Sequence, residues 1–152
     1  MNPNEYKITK IEKTVQLRLE SPPPFTDECQ LFLNPHSRHG TGAESLEEFL
    51  NHATPFIPVR LRRGEGLNLV NLEAIIWVHE QSPSPPMPVL KSVHLVLKGD
   101  IELDVEHGRT LPSSHARILD YLNGPERFIA FRMNGGNIFI NKNKIIRSQE
   151  NG

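Results

Sequence analysis

The densest group of residues able to do chemistry is Asn34-Pro35-His36-Ser37-Arg38-His39-Gly40-Thr41-Gly42. His36 and His39 carry imidazole nitrogens suited to a transition metal, but two ligands do not complete a site. Cys29, Glu44 or His52 would have to be brought in by folding. The same stretch suits an anion: Arg38 supplies charge and the glycines expose backbone N–H groups ahead of a helix. It has neither the glycine spacing nor the lysine of a phosphate loop. A solvated turn leading into a capped helix is the simpler account of it.

Arg60 and Arg132 form the second candidate group, because each stands just after a Phe-Ile pair, Phe56-Ile57 and Phe128-Ile129. A guanidinium can grip a carboxylate or phosphate through two parallel hydrogen bonds, or brace an acidic neighbour. Arg127, Arg132, Lys142, Lys144 and Arg147, with Tyr121, Phe128 and Phe139, are the charges and rings that single-stranded nucleic acid uses. Alternation along a strand sends several of them to opposite faces. Ser113, Ser114 and His115 are adjacent, which does not create the geometry of nucleophile, base and orienter. Asp100, Glu102, Asp104 and Glu106 alternate with Ile101, Leu103 and Val105, as on the wet side of a strand. The residues nominate no catalytic group, no metal site and no cofactor.

These groups sit in a pattern written twice. Leu50-Asn51 answers Leu122-Asn123, Phe56-Ile57 answers Phe128-Ile129, and Arg60 answers Arg132. After a hairpin two residues longer in the first copy, Asn71 answers Asn141, Ile75-Ile76 answer Ile145-Ile146, and Glu80 answers Glu150. Self-similarity at this period signals an internal duplication. The reading divides the chain into a first β-rich repeat over 13–80, a proline-rich linker over 81–88 and a second repeat over 89–150.

Each repeat reads as strand, strand, helix, strand, strand, strand. Val15, Leu17 and Leu19 alternate with polar residues, as do Cys29, Leu31 and Leu33, then Val93, Leu95 and Leu97. Lys98-Gly99-Asp100 and Asn134-Gly135 are tight-turn signals. Thr41 with Glu44 has capping-box spacing, and Ser113 begins the second helix. Their apolar stripes are Leu46, Phe49 and Leu50, and Ile118, Tyr121 and Leu122. Bends are expected at Asn71 and Asn141. The single Trp77 lies on an apolar strand, in the core or at an interface.

The fold class expected is therefore mainly β with one short helix per repeat: tandem small β-barrel or curved-sheet units, packed face to face or sheet to sheet with pseudo-two-fold symmetry. Each half is similar in its elements to Sm-like and other small β-barrels, although an Sm-like helix comes first. Separately, Leu122-Asn123, Phe128-Ile129-Ala130, Phe139-Ile140-Asn141-Lys142 and Ile145-Ile146 resemble a small bacterial β-rich domain family of unknown function. The first repeat carries a weaker version of the same pattern in Leu50-Asn51, Phe56-Ile57 and Leu69-Val70-Asn71. That resemblance implies no catalytic residue.

Seventeen basic residues against eighteen acidic ones give a net charge of −1, which exerts no general pull on nucleic acid or anionic membrane. One cysteine makes no disulfide framework. With no secretory signal or membrane-spanning run in view, a cytoplasmic protein without a membrane partner is expected. The functional reading is a non-catalytic protein-binding, scaffolding or regulatory module whose partner is another protein or a second copy. The alternative is single-stranded nucleic acid or a phosphate ligand held by Arg60, Arg132 and the 36–42 loop. A metal-dependent enzyme is the remaining one.

Overall fold

A computed structural model of the chain describes residues 9–38, 40, 42–52, 54–64, 66–81, 91–107 and 118–151. His39, Thr41, Ser113 and all of the proline-rich linker except Gln81 lie outside the described residues. The elements run β1 (Ile11–Leu19), β2 (Phe25–Leu33), α1 (Leu46–His52), β3 (Phe56–Leu61), β4 (Asn68–Asn71) and β5 (Ile75–Glu80). Then come β6 (Lys91–Leu97), β7 (Ile101–His107), α2 (Ile118–Leu122), β8 (Phe128–Met133), β9 (Gly136–Asn141) and β10 (Ile145–Asn151). No described helix is long and apolar enough to cross a membrane.

Alternation makes the strands. Val15, Leu17 and Leu19 of β1 and Cys29, Leu31 and Leu33 of β2 are buried, while their neighbours are not. Asp100 and Asn134 adopt φ of 59° and 51°, and Gly99 and Gly135 adopt 87° and 76°. Positive φ at adjacent turn positions closes tight hairpins, and Gly, Asn and Asp tolerate it best. The expected bends are single 3-10 turns at Leu72–Ala74 and Lys142–Lys144. Each is capped by the preceding asparagine, whose side chain accepts from Glu73 N–H or Asn143 N–H.

The first helix starts four residues later than the Thr41–Glu44 spacing suggests. Ser45 Oγ accepts from Glu48 N–H at 3.1 Å and supplies the cap. Glu44 is instead buried and accepts from both the backbone N–H and the Nδ2 of Asn34. It ties the end of β2 to the helix.

The ten strands form one sheet in the order β10-β6-β7-β8-β9-β5-β1-β2-β3-β4. Within each half the pairings match: β1 pairs β2 and β5, as β6 pairs β7 and β10. β3 pairs β2 and β4, as β8 pairs β7 and β9. Neither half closes into a barrel, because β4 pairs only with β3 and β10 only with β6.

The halves meet edge to edge rather than face to face. β5 pairs antiparallel with β9, placing Trp77 opposite Ile140, Val78 opposite Phe139, His79 opposite Ile138 and Glu80 opposite Asn137. Two-fold packing would pair equivalent strands; here the last strand of one half meets the fourth strand of the other. The strand order therefore advances in one sense across the sheet. Alternation along these strands stitches the halves together. Phe139, with Phe128, enters the core of the first half, while Ile76 and Trp77 enter that of the second.

Candidate functional site

The 36–42 loop is held by its own helix. Ser37 Oγ donates to Glu48 Oε2 at 2.7 Å, and Arg38 N–H donates to Glu48 Oε1 at 3.2 Å. Ser37 N–H donates to Gly42 C=O at 2.9 Å. A side-chain carboxylate thus takes the loop donors that an external anion would need. His36 is exposed, and His39 is outside the described residues. Among the described residues no three His, Cys, Asp or Glu side chains gather closely enough to hold a metal ion. Cys29 points into the core. Burial first, then the charges of Asp27 and Glu28, push its thiol up to about 12.

Arg60 and Arg132 do not converge. They lie on β3 and β8, five strand steps apart in the sheet order, which is about 24 Å along a sheet. Arg60 Nη1 donates to Glu12 Oε1 at 3.3 Å and to Gln30 Oε1 at 3.1 Å, and its guanidinium lies over the Phe32 ring. It braces its own half, not the contact between halves. Arg132 is half-buried and stands opposite Glu106 in the β7–β8 ladder.

What the fold does bring together is Arg38, Arg60 and Lys10. They share a groove of about 470 Å³ with Phe32, Phe49 and Phe56. Lys10 Nζ donates to Asn34 Oδ1 at its rim. The groove opens where β3 continues beyond its two-residue pairing with β2. Arg38 and Arg60 are separate candidates in the sequence; Lys10, which precedes β1, carries no signal there.

The second feature is the free edge at β4. Phe56, Leu67 and Leu69 are exposed there beside the groove. At the other end of the sheet, Ile146 on β10 and Leu119 on α2 are exposed. Unpaired edge strands with apolar side chains are templates for another strand. The polar ladder between β6 and β7 is less open to a ligand. His94 Nδ1 lies 2.7 Å from Asp104 Oδ1 and Nε2 lies 3.2 Å from Glu102 Oε1. Hydrogen bonds to Asp104, then Glu102, raise the His94 pKa above the ordinary 6.5. Comparison with protein-family models, curated proteins and solved structures finds no match.

Proposed function

We propose that the chain is a non-catalytic binding and scaffolding module, made of two diverged copies of one β-rich unit, that takes a protein partner at the open edges of its sheet. The observation that carries this reading is the exposure of Leu69 on edge strand β4, with Phe56 and Leu67 beside it. Such an edge offers a row of backbone donors and acceptors for affinity and apolar side chains for specificity. The two halves of the chain already join by this kind of strand addition. Mild cross-linking of the tagged full chain, followed by affinity isolation, tests it against Leu69→Lys. Reproducible recovery of a partner that the variant loses about tenfold is expected. Equal recovery by both proteins contradicts it.

A second reading rests on the groove, where Lys10, Arg38 and Arg60 stand among three phenylalanine rings. Cations over a stacking surface suit a single-stranded oligonucleotide or a phosphate group. Titration at low salt with a short oligonucleotide, and separately with inorganic phosphate, checks it through Arg38→Ala. Binding that weakens with salt and is lost in the variant supports the groove as a site; an absence of binding removes it.

A further inference from the structure

The contact between the two halves has a second, vacant counterpart, and both of its sides are on this one molecule. Inside the chain, the fifth strand of the first half (β5) receives the fourth strand of the second half (β9). The remaining fifth strand is β10 and the remaining fourth strand is β4, and these are the two ends of the sheet. We propose that β10 of one molecule pairs with β4 of a second copy of this chain, repeating the β5–β9 join and building a head-to-tail assembly. This rests on the reading of the open edges as binding surfaces and names their occupant.

Equivalent positions differ in exposure as that join requires. Phe128 is fully buried where the halves meet, whereas its counterpart Phe56 is 56% exposed. Phe139 is 4% exposed against 73% for Leu69, and Ile76 is 1% against 62% for Ile146. Leu67 and Leu119 are also exposed. Of the six large exposed hydrophobic side chains among the described residues, five are therefore on the two faces this pairing would cover. Burial of such groups is the main favourable contribution to association.

The polar fittings of the join are repeated as well. Asn51 of α1 brackets the backbone of Phe128, accepting from its N–H at 2.8 Å and donating to its C=O at 3.2 Å. The counterpart of Asn51 is Asn123, exposed just after α2, and the strand it would bracket begins at Phe56. Asn141 caps its own turn and donates across the join to Ile75 C=O at 3.1 Å. Asn71 caps the equivalent turn on the exposed edge. Gly136 lets the Glu80 carbonyl approach so closely that a Cβ there would lie 2.1 Å from the oxygen. Its counterpart Gly66 has nothing within 4 Å of an added Cβ.

Where the two contacts differ in composition, they differ on both sides together. Glu47 and Asn137 border the same cavity at the join; the equivalent pair at the free ends is Leu119 and Leu67, both apolar. Trp77 and Val78 become Arg147 and Ser148 on β10, which makes the contact between copies more polar and reversible. A heterologous contact of this kind closes into a ring or runs on as a filament, according to the rotation at each step.

The test uses the full chain and two exposed substitutions, Leu69→Lys on β4 and Ile146→Lys on β10, with circular dichroism and Trp77 fluorescence confirming the fold. Mass is measured by light scattering over a concentration series. Wild type is expected to exceed one chain as concentration rises, and each variant alone to remain a single chain of 17.3 kDa. An equimolar mixture of the two variants is expected to give a dimer and nothing larger, because each retains the edge the other lacks. A monomeric wild type, a variant that associates by itself, or a mixture that stays monomeric would overturn head-to-tail pairing. If wild type stays monomeric yet Leu69→Lys loses a different protein in the isolation experiment, self-pairing fails and the edge-binding reading stands.

Discussion

His94 and Cys29 show how far a residue type alone speaks, and where its neighbours take over. His94 is held between Asp104 and Glu102 on the exposed face of β6 and β7, which favours its charged form. Its contribution to stability is present below pH 6.5, the value in the unfolded chain, and is lost as pH rises through the higher folded value. His94→Gln is therefore expected to flatten the fall in stability above that point, read from urea midpoints across pH alongside the imidazole titration by NMR. Cys29, with its thiol near 12 in the core, is expected to alkylate at least about a hundredfold more slowly than in denaturant. The alternation of Cys29 with Leu31 and Leu33 already read as core. The pairing of His94 with Asp104 was not legible, because it depends on the register of a neighbouring strand. Arg38 and Arg60 were legible as useful chemistry, yet their meeting in one groove required the course of β3 past β2.

Among the elements, α1 shows the same division between local and tertiary information. Leu46, Phe49 and Leu50 announced its buried face, and all three are buried. Its start was misjudged because Glu44 has a stronger demand placed on it, clamping Asn34, while Ser45 lies within reach of Glu48 N–H. At its far end Asn51 serves another strand altogether. Asn51→Ala would leave the Phe128 N–H and C=O without these partners, at a cost of about 1–3 kcal/mol. Asn123→Ala, at the exposed counterpart, is expected to change the stability of the single chain by less than about 0.5 kcal/mol. Urea denaturation of the two variants at low protein concentration checks the contrast. Gly136→Ala forces a Cβ against the Glu80 carbonyl and is expected to cost about 1–3 kcal/mol by the same measurement. Asn134-Gly135 was the clearest hairpin signal, and its backbone angles bear that out. Turn chemistry is local, so it survives in the sequence.

At the scale of the molecule, the matching strand order in the two halves was legible from the matched residues, whereas the way they join was not. Phe56 and Phe128 are the same residue in the same local pattern, one exposed and one buried. Only the strand that arrives beside them separates the two, and period-2 alternation carries no information about which edge that strand will seek. Face-to-face packing was expected because a small β unit has little core of its own. The chain meets that need by extending the sheet through β5 and β9 and sending Phe128 and Phe139 into the first core and Ile76 into the second. Lys144 Nζ, at 2.9 Å from Glu20 Oε2, adds an ion pair between the halves. The same geometry leaves one acceptor edge and one donor edge open.

Transferring the His79–Ile138 register of the join to the free edges puts Gln149 of one copy opposite Asn68 of the next. The most direct measurement is therefore oxidation of the double variant Asn68→Cys with Gln149→Cys, resolved by non-reducing mass analysis. The account predicts intermolecular disulfides joining these two positions, in species of two or more chains, with Leu69→Lys suppressing them. Cross-links no more frequent than those of the parent chain with Cys29 alone, or links joining position 68 to position 68, would contradict it.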